Sequence, residues 1–142
     1  MIGINYEILI IYTPGFQLNE NLISTLIKDR ENVSVLINRE ENRVTLDINE
    51  LLRYFYEGFD GIFIFIKGKM NKGIFESDYK NFQKIVNETN RILAKRGLND
   101  GRIKICNWDG KNYKNLNEFI TQFFKKLKKL GPNPIKLEKL EV

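Results

Sequence analysis

Lys67, Lys69 and Lys72 fall within six residues, with Gly68 between the first two and Gly73 just beyond the last. They directly follow the apolar run Gly61–Ile66. Amides at a helix start and lysine ammonium groups both favour anions, so this spacing could cradle a phosphate or nucleotide. It is not a P-loop: Gly-x-x-x-x-Gly-Lys-[Ser/Thr] is absent, and no Gly-x-Gly-x-x-Gly follows any apolar run. The alternative is a solvated surface loop. Arg39 and Arg43 flank Glu40 and Glu41, which reads either as a charged contact for a partner or as a polar loop. Trp108, with Asp109 and Lys111, could stack a base or ligand ring, or pack on the end of a sheet. Asp60, Glu76 and Asp78 could supply a carboxylate pair, but their spacing does not force them together.

The absences exclude more than these features suggest. There is no His, and Cys106 is the only cysteine. A Ser-His-Asp triad, a Cys-His pair and an imidazole base are therefore all excluded. One chain cannot build a four-ligand zinc site or hold an iron–sulfur cluster by several thiolates. Cys106 reads as a small core residue, since no His can activate it. No catalytic residue, metal site or cofactor is assigned. With no disulfide possible within the chain, a reducing cytosol is the expected compartment.

The 142 residues suit one domain, with residues 1–134 expected to fold together and 135–142 to form a peripheral tail. Residues 1–71 carry 7 Lys+Arg against 10 Asp+Glu, a net −3; residues 72–142 carry 16 against 8, a net +8. A basic half suits nucleic acid, an acidic surface or an acidic protein, or is a solvated lysine-rich face. The run Lys125-Lys-Leu-Lys-Lys129 could bind nucleic acid or an acidic membrane. Lysines at a helix C-terminus are also what the macrodipole favours. No known nucleic-acid motif is present, so that reading ranks last. The start lacks a basic signal-peptide segment, and the apolar runs are far shorter than the roughly twenty residues of a membrane helix. A soluble cytoplasmic protein is expected.

The elements that must position these residues follow from periodicity. Glu7–Tyr12 is an apolar run of strand length, ended by Thr13-Pro14-Gly15. Leu18, Leu22, Ile23, Leu26 and Ile27 predict a helix over 19–29. A second strand is predicted over Asn32–Ile37. Asp47-Ile-Asn-Glu50 resembles a capping box, opening a helix over 48–57 that Gly58 closes. Gly61–Ile66 is the clearest buried strand. Lys67–Gly73 is predicted as a loop, followed by a long helix over 77–95. Ile103, Ile105 and Cys106 mark a fourth strand, with a loop over 107–112. Leu116, Phe119, Ile120, Phe123, Phe124, Leu127 and Leu130 mark the last helix, stopped by Gly131-Pro132.

Fourfold strand–helix alternation predicts an α/β three-layer sandwich. Its four-stranded parallel sheet would have the order 2-1-3-4, with helices on both faces. Ligand sites in such sheets lie beyond the carboxyl ends of the strands. The candidates gathered there are Thr13, Gly15, Arg39, Arg43, Lys67, Gly68, Lys69, Lys72, Trp108 and Asp109.

From Asn32 to Pro134 three stretches carry a family likeness. Val44-Thr-Leu-Asp-Ile-Asn-Glu continues through Gly58-Phe-Asp-Gly-Ile62. Ser77-Asp-Tyr-Lys80 opens the long helix, and Lys129-Leu-Gly-Pro-Asn-Pro134 closes the domain. Together they resemble the delta subunit of methyl-viologen-reducing (F420-non-reducing) hydrogenase, in the same order and with nearly gapless spacing. The resemblance implies a protein partner of the hydrogenase or heterodisulfide-reductase electron-transfer type. It also implies a cysteine-bound iron–sulfur cluster, and here the text departs. Tyr12-Thr-Pro-Gly15 replaces a Cys-rich stretch, Asn42-Arg-Val44 replaces Cys-x-Gly, and Lys67 and Lys72 stand at two cysteine positions. Cys106 falls where the family has no ligand. The reading is a cluster-free, non-catalytic accessory or scaffold subunit. The alternative is a small phosphate- or nucleotide-binding module using the loop after the third strand.

Overall fold

The computed structural model describes residues 5–12, 19–27, 33–39, 47–67, 72–108 and 110–135. Of Asn38, Arg39, Lys67 and residues 72–79 it describes only the backbone. The apolar runs become strands and the amphipathic stretches helices, in the order β1 (Tyr6–Tyr12), α1 (Glu20–Ile27), β2 (Val33–Arg39), α2 (Ile48–Glu57), β3 (Gly61–Lys67), α3 (Lys72–Ala94), β4 (Ile103–Trp108) and α4 (Tyr113–Leu130). All strand pairs are parallel, and the order is β2-β1-β3-β4. The two inner strands are buried on both faces, which is why they are continuous apolar runs with no alternation.

The sheet separates two apolar layers. Ile8, Ile10, Phe63 and Phe65 pack with Leu22 and Leu26 of α1 and with Leu116, Ile120 and Phe123 of α4. The other parity, Leu9, Ile11, Ile62 and Ile64, packs with Leu51 and Phe55 of α2 and Phe82 and Val86 of α3. Period-two alternation thus sends neighbouring residues of one strand to different layers. Gly61 gives α4 its close approach to β3: a Cβ there would lie 2.5 Å from Leu127 Cδ1 and 3.0 Å from Phe123 Cζ.

Three boundaries and one capping contact differ from expectation. β2 runs on through Asn38 and Arg39, so Arg39 is a strand residue in register with Tyr12. The long helix starts at Lys72, not Ser77, because Gly73 costs a helix only about 1 kcal/mol against Ala and does not stop it. β4 reaches Trp108, which is paired with Lys67 rather than lying in a loop. At α2, Asp47 accepts from the Asn49 amide at 3.3 Å, but Glu50 accepts from the Tyr54 hydroxyl at 3.2 Å instead of reaching back. Gly58 takes the left-handed conformation, φ 116°, that ends the helix.

Candidate functional site

The parallel register brings Tyr12, Arg39, Lys67 and Trp108 to one edge of the sheet, its carboxyl edge. Lys72 begins α3 shortly after β3 ends at Lys67. Thr13, Gly15, Arg43, Gly68, Lys69 and Asp109 lie outside the described residues.

The floor of this edge is aromatic and closed. Tyr12 stacks on Phe65 with centroids 5.8 Å apart, and Phe65 meets Trp108 edge-on at 5.9 Å. Trp108 in turn meets Tyr113 at 5.2 Å. These contacts are spaced as favourable aromatic pairs are. Trp108 is only 2% exposed, and its indole N–H donates to the Asn112 carbonyl at 2.8 Å. It packs on the sheet end and offers no open face for a base or ligand ring. Asparagines anchor α1 and α4, two of the helices that start here. Asn19 accepts from the Leu22 amide at 2.8 Å, and Asn112 from the Asn115 amide at 3.0 Å.

Cys106 sits in the layer beneath α4 and is buried. Burial pushes its thiol up to about 11, with Lys104 pulling the other way. The thiol is therefore protonated at neutral pH, whereas metal ligation and nucleophilic attack both need the thiolate. Among the described residues no three His, Cys, Asp or Glu side chains converge on a metal position.

The amino edge of the sheet holds a buried polar clamp that sequence reasoning missed. Asp60, Arg102 and Asn133 are at most 2% exposed. The Asp60 carboxylate accepts from the Asn133 amide at 2.7 Å and from the Glu7 amide at 2.8 Å. Asn133 Nδ2 donates to the carbonyls of Phe55 and Phe59, at 2.9 and 2.8 Å. Arg102 donates to the Asp60 carbonyl at 3.0 Å and the Gly131 carbonyl at 2.9 Å. Burial pushes the Arg102 guanidinium down, and Asp60 then Tyr6 hold it up. Asp60 is thus a structural acceptor at the amino edge, and the side chains of Glu76 and Asp78 lie outside the described residues. The clamp joins the turn after α2 and the turn after α4, the Gly58-Phe-Asp-Gly61 and Gly131-Pro-Asn-Pro134 strings. Those strings are the available signal: one short polar residue each, Asp60 between flanking glycines and Asn133 between prolines.

The family described as "Methyl-viologen-reducing hydrogenase, delta subunit" matches residues 28–131. The vhu iron-sulfur subunit of the F420-non-reducing hydrogenase of Methanococcus maripaludis is 31% identical over 90 residues. That stretch is 63% of this chain and 66% of the relative, so the match spans just under two thirds of the relative's length. With the family model matching most of its length, the chain belongs to the methyl-viologen-reducing hydrogenase delta subunit family.

Proposed function

We propose that this chain is a cluster-free accessory or scaffold subunit without catalysis of its own, assembling with hydrogenase or heterodisulfide-reductase-type electron-transfer proteins. One contrast carries the reading. Strings that resemble the family's framework are locked together by the clamp, while the chain has a single cysteine. The relative is named an iron-sulfur subunit, and a protein-held cluster needs several thiolates. This chain has Cys106 alone, buried and protonated. At the carboxyl edge Tyr12, Phe65 and Trp108 form a dry aromatic floor. At that edge the family resemblance sets Lys67 and Lys72 at cysteine positions. These residues do not fit an iron–sulfur cluster, and no redox step is assigned to the chain. A surface left after such a replacement suits docking, and the +8 of residues 72–142 suits an acidic partner.

A second reading keeps an anion site at Lys67, Lys69 and Lys72, favoured by the start of α3 at Lys72. One set of measurements separates the two. Protein purified without oxygen is expected to contain no iron or acid-labile sulfide, and to co-purify with hydrogenase or heterodisulfide-reductase subunits from its native cells. Stoichiometric iron after reconstitution would refute the cluster-free reading. A rise in melting temperature with millimolar phosphate or nucleotide, abolished by Lys67→Met with Lys72→Met, would favour the anion site. Ligand at about one hundred times its Kd adds roughly 2.7 kcal/mol, well within reach of the assay.

A further inference from the structure

β4 is an edge strand: among the described residues no strand pairs with its outer side. On its inner side the Ile62 amide donates to the Arg102 carbonyl at 2.8 Å. Backbone groups alternate along a parallel ladder, so Lys104 and Cys106 also turn theirs to β3. Ile103, Ile105 and Asn107 turn their N–H and C=O groups outward. Side chains alternate between the two faces. Ile103 and Ile105 pack in the α2–α3 layer, and Cys106 in the α1–α4 layer.

A groove of about 470 Å³ lies between β4 and α4. Its walls include Ile103 and Ile105 from β4 and Phe119, Phe123 and Lys126 from α4. Since the side chains of Ile103 and Ile105 lie on the opposite face from α4, they line this groove through the free edge of the strand. The groove therefore sets unpaired backbone donors and acceptors beside an apolar wall. Lys104 and Lys126 stand exposed along it. Neither has a carboxylate partner among the described residues. The Lys126 arm lies across Gly101, where a Cβ would come within 2.5 Å of Lys126 Cε.

We propose that this groove takes an extended acidic segment of a partner protein, which pairs with β4 as a fifth strand. Backbone pairing to a free sheet edge supplies affinity, and pockets for alternate side chains supply selectivity. On the α4 face Lys104 and Lys126 would receive the carboxylates of the segment, and on the opposite face its apolar residues would lie beside Ile103 and Ile105. Charge decides against a second copy of this chain. Pairing β4 with β4 would set these lysines against their equivalents, and like charges directly opposite are unfavourable. A lysine on an edge strand is also a usual guard against self-pairing. The same charges that repel a copy attract an acidic segment. The inference uses only β4 and α4 and stands apart from the scaffold reading.

The test uses a library of acetylated peptides of about six residues, a typical strand length. They carry Asp or Glu at alternate positions and Val, Ile or Thr between. Amide hydrogen exchange of the full chain is read with and without peptide. The expected result is slower exchange at Ile103, Ile105 and Asn107, with Lys104 and Cys106 unchanged. Lys104→Glu with Lys126→Glu, both on the surface, should weaken binding about tenfold or more at unchanged melting temperature. N-methylation of alternate peptide amides should abolish binding. The proposal is overturned if no peptide slows those three amides, or if peptides with Lys in place of the acids bind equally well. It is also overturned if the same protection arises without peptide as protein concentration rises, since β4 would then pair with a second copy.

Discussion

Asn133→Ala is the sharpest probe of the clamp, because its cost can be worked bond by bond. The side chain donates to the Phe55 and Phe59 carbonyls and accepts from the Ile135 amide at 2.9 Å. After truncation Phe55 O keeps a donor, because the Gly58 amide already bonds to it at 3.1 Å. Among the described residues Phe59 O has no such second donor, and leaving this part-buried acceptor unsatisfied costs about 1–3 kcal/mol. The Phe55 and Ile135 bonds add the ordinary net value of roughly 0.5–1.5 kcal/mol each. The expected loss is therefore about 2–6 kcal/mol, a large share of the roughly 5–15 kcal/mol that holds a domain together. Urea denaturation followed by far-ultraviolet circular dichroism measures it, with the m-value unchanged if the native fold persists. Asn133→Asp adds a control of similar size. It turns a carboxylate oxygen toward two carbonyl oxygens, so it should destabilise at least as much as Ala. A loss below about 1 kcal/mol for both variants would refute the clamp. The Gly131–Ile135 turn would then be held by its backbone alone.

The contact of β3 with α4 makes a second prediction. Phe123 is 4% exposed and packs on Phe63 with centroids 5.6 Å apart, so Phe123→Ala should cost about 3–5 kcal/mol in the same assay. Gly61→Ala should cost about 1–3 kcal/mol for the opposite reason, a methyl group driven into Leu127 and Phe123. The thiol makes a third. With Cys106 held up to about 11, alkylation by iodoacetamide should be slow at pH 8 and keep rising beyond pH 10. The sign is set by burial disfavouring the thiolate: above the ordinary thiol range the unfolded chain ionises first, so stability should fall as pH climbs toward 11. A labelling rate that levels off near pH 8.5, the ordinary thiol value, would show an exposed, unperturbed cysteine.

Sequence alone determined the layers and strand order of this protein. Glu7–Tyr12 and Gly61–Ile66 are apolar at every internal position, which only a strand covered on both faces can use, and the amphipathic stretches between them are long enough to cross over. It also determined which cluster chemistry the chain cannot perform, since a count of one cysteine needs no coordinates. Tertiary structure decided the rest where local pattern is silent. Ladder pairing with Lys67 draws Trp108 into β4 and buries it, although its neighbours read as a turn. Lys72 joins α3 because nothing in Lys72–Glu76 forbids helix, yet nothing in its periodicity demands it. Asp60, Arg102 and Asn133 lie up to 73 residues apart and meet only when two turns close over the amino edge of the sheet. A buried polar group is stable only where the fold supplies its partners, so its role depends on residues distant in sequence and cannot be read from its neighbours. The edge of β4, unpaired among the described residues, has the same origin: strand order is legible from the sequence, but which backbone groups face outward, and which lysines stand beside them, is a property of the assembled sheet.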